Sequence, residues 1–167
     1  VSIASSFTLI STYETEIKAV NKAIEKTLRG IDPNAYQSLL SIPGIGPVMA
    51  AGILSEIGYI DAFKNQEALA KYAGLVWREN QSGNFQADDT PLSKAGNAYL
   101  RYYLIEATSH VKNHCGEFAA FYQKKYDEVK IHQHKRALAL TARKFVRLIF
   151  GLLANHQLYS SDRVVQA

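Results

Sequence analysis

Ser82, in the run Gln81-Ser82-Gly83, is followed within twenty residues by Lys94, Asn97 and Arg101. A serine hydroxyl is a weak nucleophile. To attack a phosphate it needs a fixed position, positive charge beside the phosphate oxygens and help in losing its proton. Lys94 and Arg101 offer the charge, and Asn97 and Arg101 lie one helical turn apart on a common face. Lys94 and Arg101 are therefore candidate phosphate clamps, with Asn97 beside them. Arg143 and Lys144, in Ala142-Arg143-Lys144-Phe145, form a second basic pair that is equally readable as a solvated stripe. No evident base flanks Ser82. Residue types alone also allow a plainer reading, in which a serine beside glycine is a turn residue and Lys94-Ala95-Gly96-Asn97 is a turn ending in a helix cap.

A second constellation is Leu40, Ile42 and Pro43-Gly44-Ile45-Gly46, followed by the small residues Ala50 and Ala51. It has the form of a helix-hairpin-helix. Gly44 and Gly46 permit positive φ and keep side chains away from backbone amides that face a phosphate, and the next helix adds the positive end of its dipole. Such a turn grips a nucleic-acid backbone without reading bases. Pro47 and Val48 place no donor side chain beside it, so the same hairpin can serve only to join helices. His110, His114 and Cys115 are close enough in sequence to suggest zinc. They lack a paired cysteine motif and read as helix-surface and core residues, and His132 and His134 read as solvated.

These groups must be carried by helices. Ile3, Phe7, Ile10, Glu14, Ile17, Asn21, Ile24 and Leu28 follow four-three spacing, which predicts one apolar stripe on a long helix ended by Gly30. A seam broken by Glu14 and Asn21 suits a coiled coil, in which a polar residue fixes register and partner number, or a helix packed back on its own domain. Asp32-Pro33 is a helix start, and a second helix ending at Gly58 follows the glycine turn. Asn65 caps a helix running to Tyr72. From Gly74 to Ser93 the apolar period disappears into Gly, Asn, Gln, Asp and Pro, predicting a long, mobile loop or irregular hairpin, with strand character limited to residues 75–77. Helices then follow from Asn97 to Asn113, from Glu117 to Val129 and from His132 to His156, the last with Leu138, Ala142, Phe145, Leu148, Ile149 and Leu152 turned inward.

The chain is expected to be all-α, with a coiled-coil arm over 1–30, a helical domain with a helix-hairpin-helix over 31–159 and a flexible tail over 160–167. Its 167 residues, 47% apolar and 11% aromatic, can fill one core. No apolar run is long enough to span a bilayer, and the start carries no signal pattern, which predicts a cytoplasmic protein without a membrane partner. One cysteine excludes an internal disulfide framework. The first residue is Val1 rather than Met, so a longer protein is expected. Residues 1–93 carry 7 Lys/Arg against 10 Asp/Glu, whereas 94–147 carry 11 against 4. Any polyanion should therefore meet the second half, although Lys124, Lys125, Lys130, Lys135 and Arg136 singly read as solvated faces.

Six blocks in fixed order, PGIG, SEIG, KYAGL, the QSG loop, LSKAGNAYLRYYLIEA and ARKF, resemble the C-terminal half of transposases of the 110/116/902 insertion-sequence family. The resemblance covers residues 36–159, and the arm suits the coiled coil that precedes this domain there. Trp77 departs from it, standing where the family often has proline. The resemblance implies that Ser82 attacks a DNA phosphodiester and forms a transient phosphoserine link, with a bridge RNA choosing target and donor DNA and the protein acting as a dimer or tetramer in the bacterial cytoplasm. It implies no cofactor for this part. Magnesium is expected on the acidic residues of an N-terminal RuvC-like nuclease domain that these residues do not include, so this part alone is expected to be inactive. Two rivals fit the same motifs: a noncatalytic helix-hairpin-helix module for nucleic-acid binding or oligomerisation, and an inactive transposase remnant.

Overall fold

A computed structural model describes residues 2–77, 81–82, 85–86 and 91–161 of the chain, the two short pairs through their backbone. The fold is all-α, with one small pair of strands. Helix α1 (Ile3–Ile31) leads through Asp32 into α2 (Pro33–Leu40), whose cap is the one expected: Asp32 Oδ1 accepts from the Ala35 amide at 2.8 Å. Gly30 lies inside α1, not at its end, and the chain leaves that helix only at Asp32. A tight turn then leads to α3 (Pro47–Ile57), which stops at Gly58 with φ +66°. A 3-10 turn (Ile60–Ala62), which no pattern announced, precedes α4 (Gln66–Tyr72). Asn65 Oδ1 caps α4 through the Ala68 amide.

Strands β1 (Gln81–Ser82) and β2 (Phe85–Gln86) pair antiparallel, Gln81 with Gln86 and Ser82 with Phe85. Helices α5 (Ala98–His114), α6 (Gly116–Asp127) and α7 (Gln133–Ala154) complete the domain. The mobility expected of 74–93 and of 160–167 falls largely on residues outside those described.

Helix α7 packs against α2, α4, α5 and α6, so its buried side carries much of the core. That side is Ala137, Thr141, Ala142, Phe145, Val146, Ile149, Leu152 and Leu153; Leu138 and Leu148 are only half-buried. Tyr36, Leu39, Ile53, Leu69, Leu100, Leu104 and Phe118 fill the space around it. Phe118 meets Phe145 edge-on, with ring centroids 5.9 Å apart. The polar side chains of Thr108 and Thr141 are buried at no cost in unpaired groups, because each hydroxyl donates to a carbonyl one turn back, of Leu104 and Ala137. The small residues of α3 do permit close packing: a Cβ on Gly52 would lie 2.4 Å from the Tyr103 ring of α5.

Helix α1 stands apart from this core and buries none of its residues. It joins the domain at its C-terminal end, where Leu28 packs on the core cluster and α2 and α3 lie alongside. Ile3, Phe7, Ile10 and Ile17 are 77, 68, 54 and 58% exposed, so this part of the apolar stripe is uncovered among the described residues.

Candidate functional site

The segment that carries Ser82 leaves α4 and returns to α5, and its two ends are zipped together. The Asn97 amide donates to Tyr72 O at 2.7 Å, the Lys94 amide to Gly74 O at 3.2 Å and the Ser93 amide to Val76 O at 2.7 Å. A bridge between Trp77 and Leu92 extends the same ladder, with β1 and β2 beyond it. Residues 72–77 and 91–97 thus form a neck below the strand that holds Ser82. Trp77, where the resemblance suggested proline, takes a regular place in that neck.

Side chains lock the neck to the helices. Asn97 caps α5, its Oδ1 accepting from the amides of Tyr99 and Leu100. Its Nδ2 donates to Glu56 Oε2 of α3 at 2.8 Å and to the Tyr72 hydroxyl at 3.2 Å. Arg101, one turn further on, directs Nη1 at two carbonyls, Ala73 on the outgoing side at 3.1 Å and Lys94 on the returning side at 3.0 Å. Lys94 itself has φ +53°, an uncommon conformation for a residue with a side chain, and that side chain is exposed.

Lys94, Asn97 and Arg101 therefore stand together at the root of the Ser82 segment. Asn97 and the Nη1 group of Arg101 bind the protein's own atoms, whereas the Lys94 ammonium faces solvent. Arg143 and Lys144 lie elsewhere, on α7. Lys144 pairs with Glu117 of α6, its ammonium 4.8 Å from the Phe121 ring centroid and 5.3 Å from that of Phe118. Arg143 Nη1 is buried with no hydrogen-bond partner among the described residues. Its charge and that of Arg147 reach α4, adding to the hydrogen bonds from the Gln66 side chain and from backbone that hold the Glu67 carboxyl below its usual range.

The glycine turn lies at the far end of the α3–α5 pair. Gly44 has φ +93°, and a Cβ there would approach the His110 backbone to 3.0 Å, so both conformation and space require glycine. Gly46 takes no positive φ and instead starts α3 ahead of Pro47. From His110 to Asn97 along α5 is about 20 Å at 1.5 Å per residue, so the glycine turn and the neck are two separate places. His114 Nδ1 is hydrogen-bonded to His110 O and Cys115 Sγ to the Tyr159 hydroxyl. No three His, Cys, Asp or Glu side chains among the described residues group as metal ligands, and no metal step is assigned to them. Among the same residues no helix is long and apolar enough to cross a membrane.

Glu56 and Tyr72 are the partners that sequence reasoning passed over. They stand in the SEIG and KYAGL blocks, which served there only as markers, and nothing in their spacing points to Asn97, 41 residues beyond Glu56 and 25 beyond Tyr72.

The amino-acid sequence that builds this all-α domain is similar to those of known transposases. Residues 36–123 match the model of the Transposase IS116/IS110/IS902 family, and the chain belongs to that family. Over 154 residues it is 31% identical to the transposase for insertion sequence element IS1111A of Coxiella burnetii, covering 90% of this chain and 39% of that protein. A probable family 20 transposase of Pseudomonas aeruginosa is 26% identical over 151 residues, 90% of this chain and 44% of the relative. The insertion element IS116 uncharacterized 44.8 kDa protein of Streptomyces clavuligerus is 26% identical over 147 residues. The chain thus spans less than half the length of each of these relatives.

Proposed function

We propose that this chain is the strand-exchanging part of an insertion-sequence transposase and that Ser82 is its nucleophile. The observation that carries the reading is the neck: the segment bearing Ser82 is held at both ends by hydrogen bonds from Ser93, Lys94, Asn97 and Arg101, the rigid footing that a weak nucleophile needs. In the proposed step the Ser82 Oγ–phosphorus bond forms as a bridging P–O bond of DNA breaks. The serine proton passes to a base outside these residues, and the displaced oxygen leaves as a strand end. A new strand end then attacks the phosphoserine, restoring the hydroxyl and joining DNA to DNA.

Lys94, exposed beside the neck, is proposed to meet the phosphate, and Arg101, with Asn97, to fix the segment and offer its remaining guanidinium N–H groups. The Gly44–Gly46 turn holds backbone about 20 Å away, a spacing of about six base pairs along a duplex axis, and Arg143 and Lys144 lie apart from both on α7. A guide RNA, a nuclease portion with bound magnesium and a second copy joined through α1 complete the proposed machine. The noncatalytic alternative rests on the Gly44 turn, which suits a helix-hairpin-helix that only grips nucleic acid.

The test offers labelled DNA to the complete transposase with its guide RNA and looks for a protein-linked label on a denaturing gel. The proposal expects a labelled band that Ser82→Ala abolishes. Intact DNA binding without a band in either protein would leave the noncatalytic reading.

A further inference from the structure

We propose that Glu56 is a positioning residue for Ser82, acting through Asn97; the inference rests on the reading of Ser82 as the nucleophile. Asn97 has two tasks, one for its side chain and one for its backbone. Its Oδ1 must face the α5 amides of Tyr99 and Leu100, while its backbone amide must reach Tyr72 O to close the neck. An amide side chain is free to turn unless its other end is also held. Glu56 Oε2 holds it, accepting from Nδ2 at 2.8 Å, a bond strengthened by the carboxylate charge. The Tyr72 hydroxyl contacts the same nitrogen, so three elements, α3, α4 and α5, meet at this one amide.

Glu56 also suits its place electrostatically. It stands behind the cap at the N-terminus of α5, the end whose dipole favours an anion, and no lysine or arginine pairs with it among the described residues. That end of α5 is thereby satisfied from within the protein. An incoming phosphate meets Lys94, while Glu56 keeps the root of the segment closed. The geometry also joins the glycine hairpin to the neck mechanically, since α3 begins at Pro47 beside the turn and its last turn carries Glu56.

The inference separates from a phosphate-clamp role by sign. Removing a carboxylate near a DNA site strengthens or spares DNA binding, whereas loosening the neck impairs the serine. In this chain, Glu56→Ala is expected to speed amide exchange of Ser93, Lys94 and Asn97 about tenfold, the loss of one hydrogen bond to a charged group, while the amides of α7 keep their protection. In the complete transposase with guide RNA, the same substitution is expected to lower the yield of serine-linked DNA about tenfold at unchanged or tighter DNA affinity. Glu56→Gln, which keeps an acceptor oxygen, should restore most of both, and this rescue distinguishes a local effect from failure to fold. Unchanged neck exchange or an undiminished adduct in Glu56→Ala overturns the inference. A parent protein that forms no adduct dependent on Ser82 overturns the serine reading instead, and the exchange data then still decide whether Glu56 holds the neck.

Discussion

The neck is built from residues that tolerate little change, and Gly96 is the clearest of them. It has φ +143°, and a Cβ placed on it would lie 2.2 Å from Tyr72 O, the carbonyl that receives the Asn97 amide. Gly96→Ala should therefore cost about 2–3 kcal/mol of stability, read as a lowered denaturation midpoint. Gly30→Ala should do the opposite. That glycine lies inside α1 with open space around it, and an alanine gains about 0.5–1 kcal/mol in a helix. The cations divide in the same way. Lys94 is exposed, so Lys94→Gln should reduce the slope of log affinity against log salt for DNA by about one. Lys144 is engaged by Glu117, and Lys144→Gln should leave that slope unchanged. Residue types in the sequence pointed to Lys94, Asn97 and Arg101 as a group. They did not disclose that Asn97 and Arg101 turn inward, because their partners are a side chain 41 residues away and carbonyls whose positions only the folded neck defines.

At the scale of elements, the chain after α7 is fastened back onto the domain. The Tyr159 amide donates to Ser41 Oγ beside the glycine turn, and its hydroxyl meets Cys115 Sγ between α5 and α6 at 3.0 Å. Burial first, then the Cys115 hydrogen bond and the charges of Cys115 and Glu117, hold this phenol well above the ordinary tyrosine range. A raised acid keeps its proton in the fold after the unfolded chain has lost it. Its contribution to stability is thus complete below about pH 10, the unperturbed tyrosine value, and declines as pH rises further. Tyr159→Phe should flatten that decline in denaturation series taken across pH 9 to 12. Helix boundaries were largely legible, because Asp32-Pro33, Asn65, Gly58 and Asn97 act through local backbone rules that need no tertiary context. The end of α1 was misplaced because glycine was read as a stop, whereas Gly30 takes ordinary helical backbone.

For the whole molecule, the uncovered side of α1 is the largest unmet demand. An isolated helix of 29 residues with Ile3, Phe7, Ile10 and Ile17 in water gains little from propensity and needs a partner face. If a second copy supplies it, removing residues 1–29 should halve the mass seen by sedimentation. An unchanged mass would place the partner elsewhere. The sequence disclosed this stripe and the all-α class, since both are written in periodicity. It could not disclose that most of the stripe stays off the domain while Leu28 packs on it, because one apolar face is compatible with either arrangement, nor that the glycine turn and the neck stand about 20 Å apart on α5.

The proposed bond between Ser82 and DNA can be mapped chemically. The complete transposase with its guide RNA would be trapped on DNA, digested with nuclease and protease, and the peptides weighed. A nucleotide mass is expected on the peptide containing Ser82, fragmenting to that residue and absent from Ser82→Ala. A nucleotide on any other residue, or one that persists in Ser82→Ala, would contradict it.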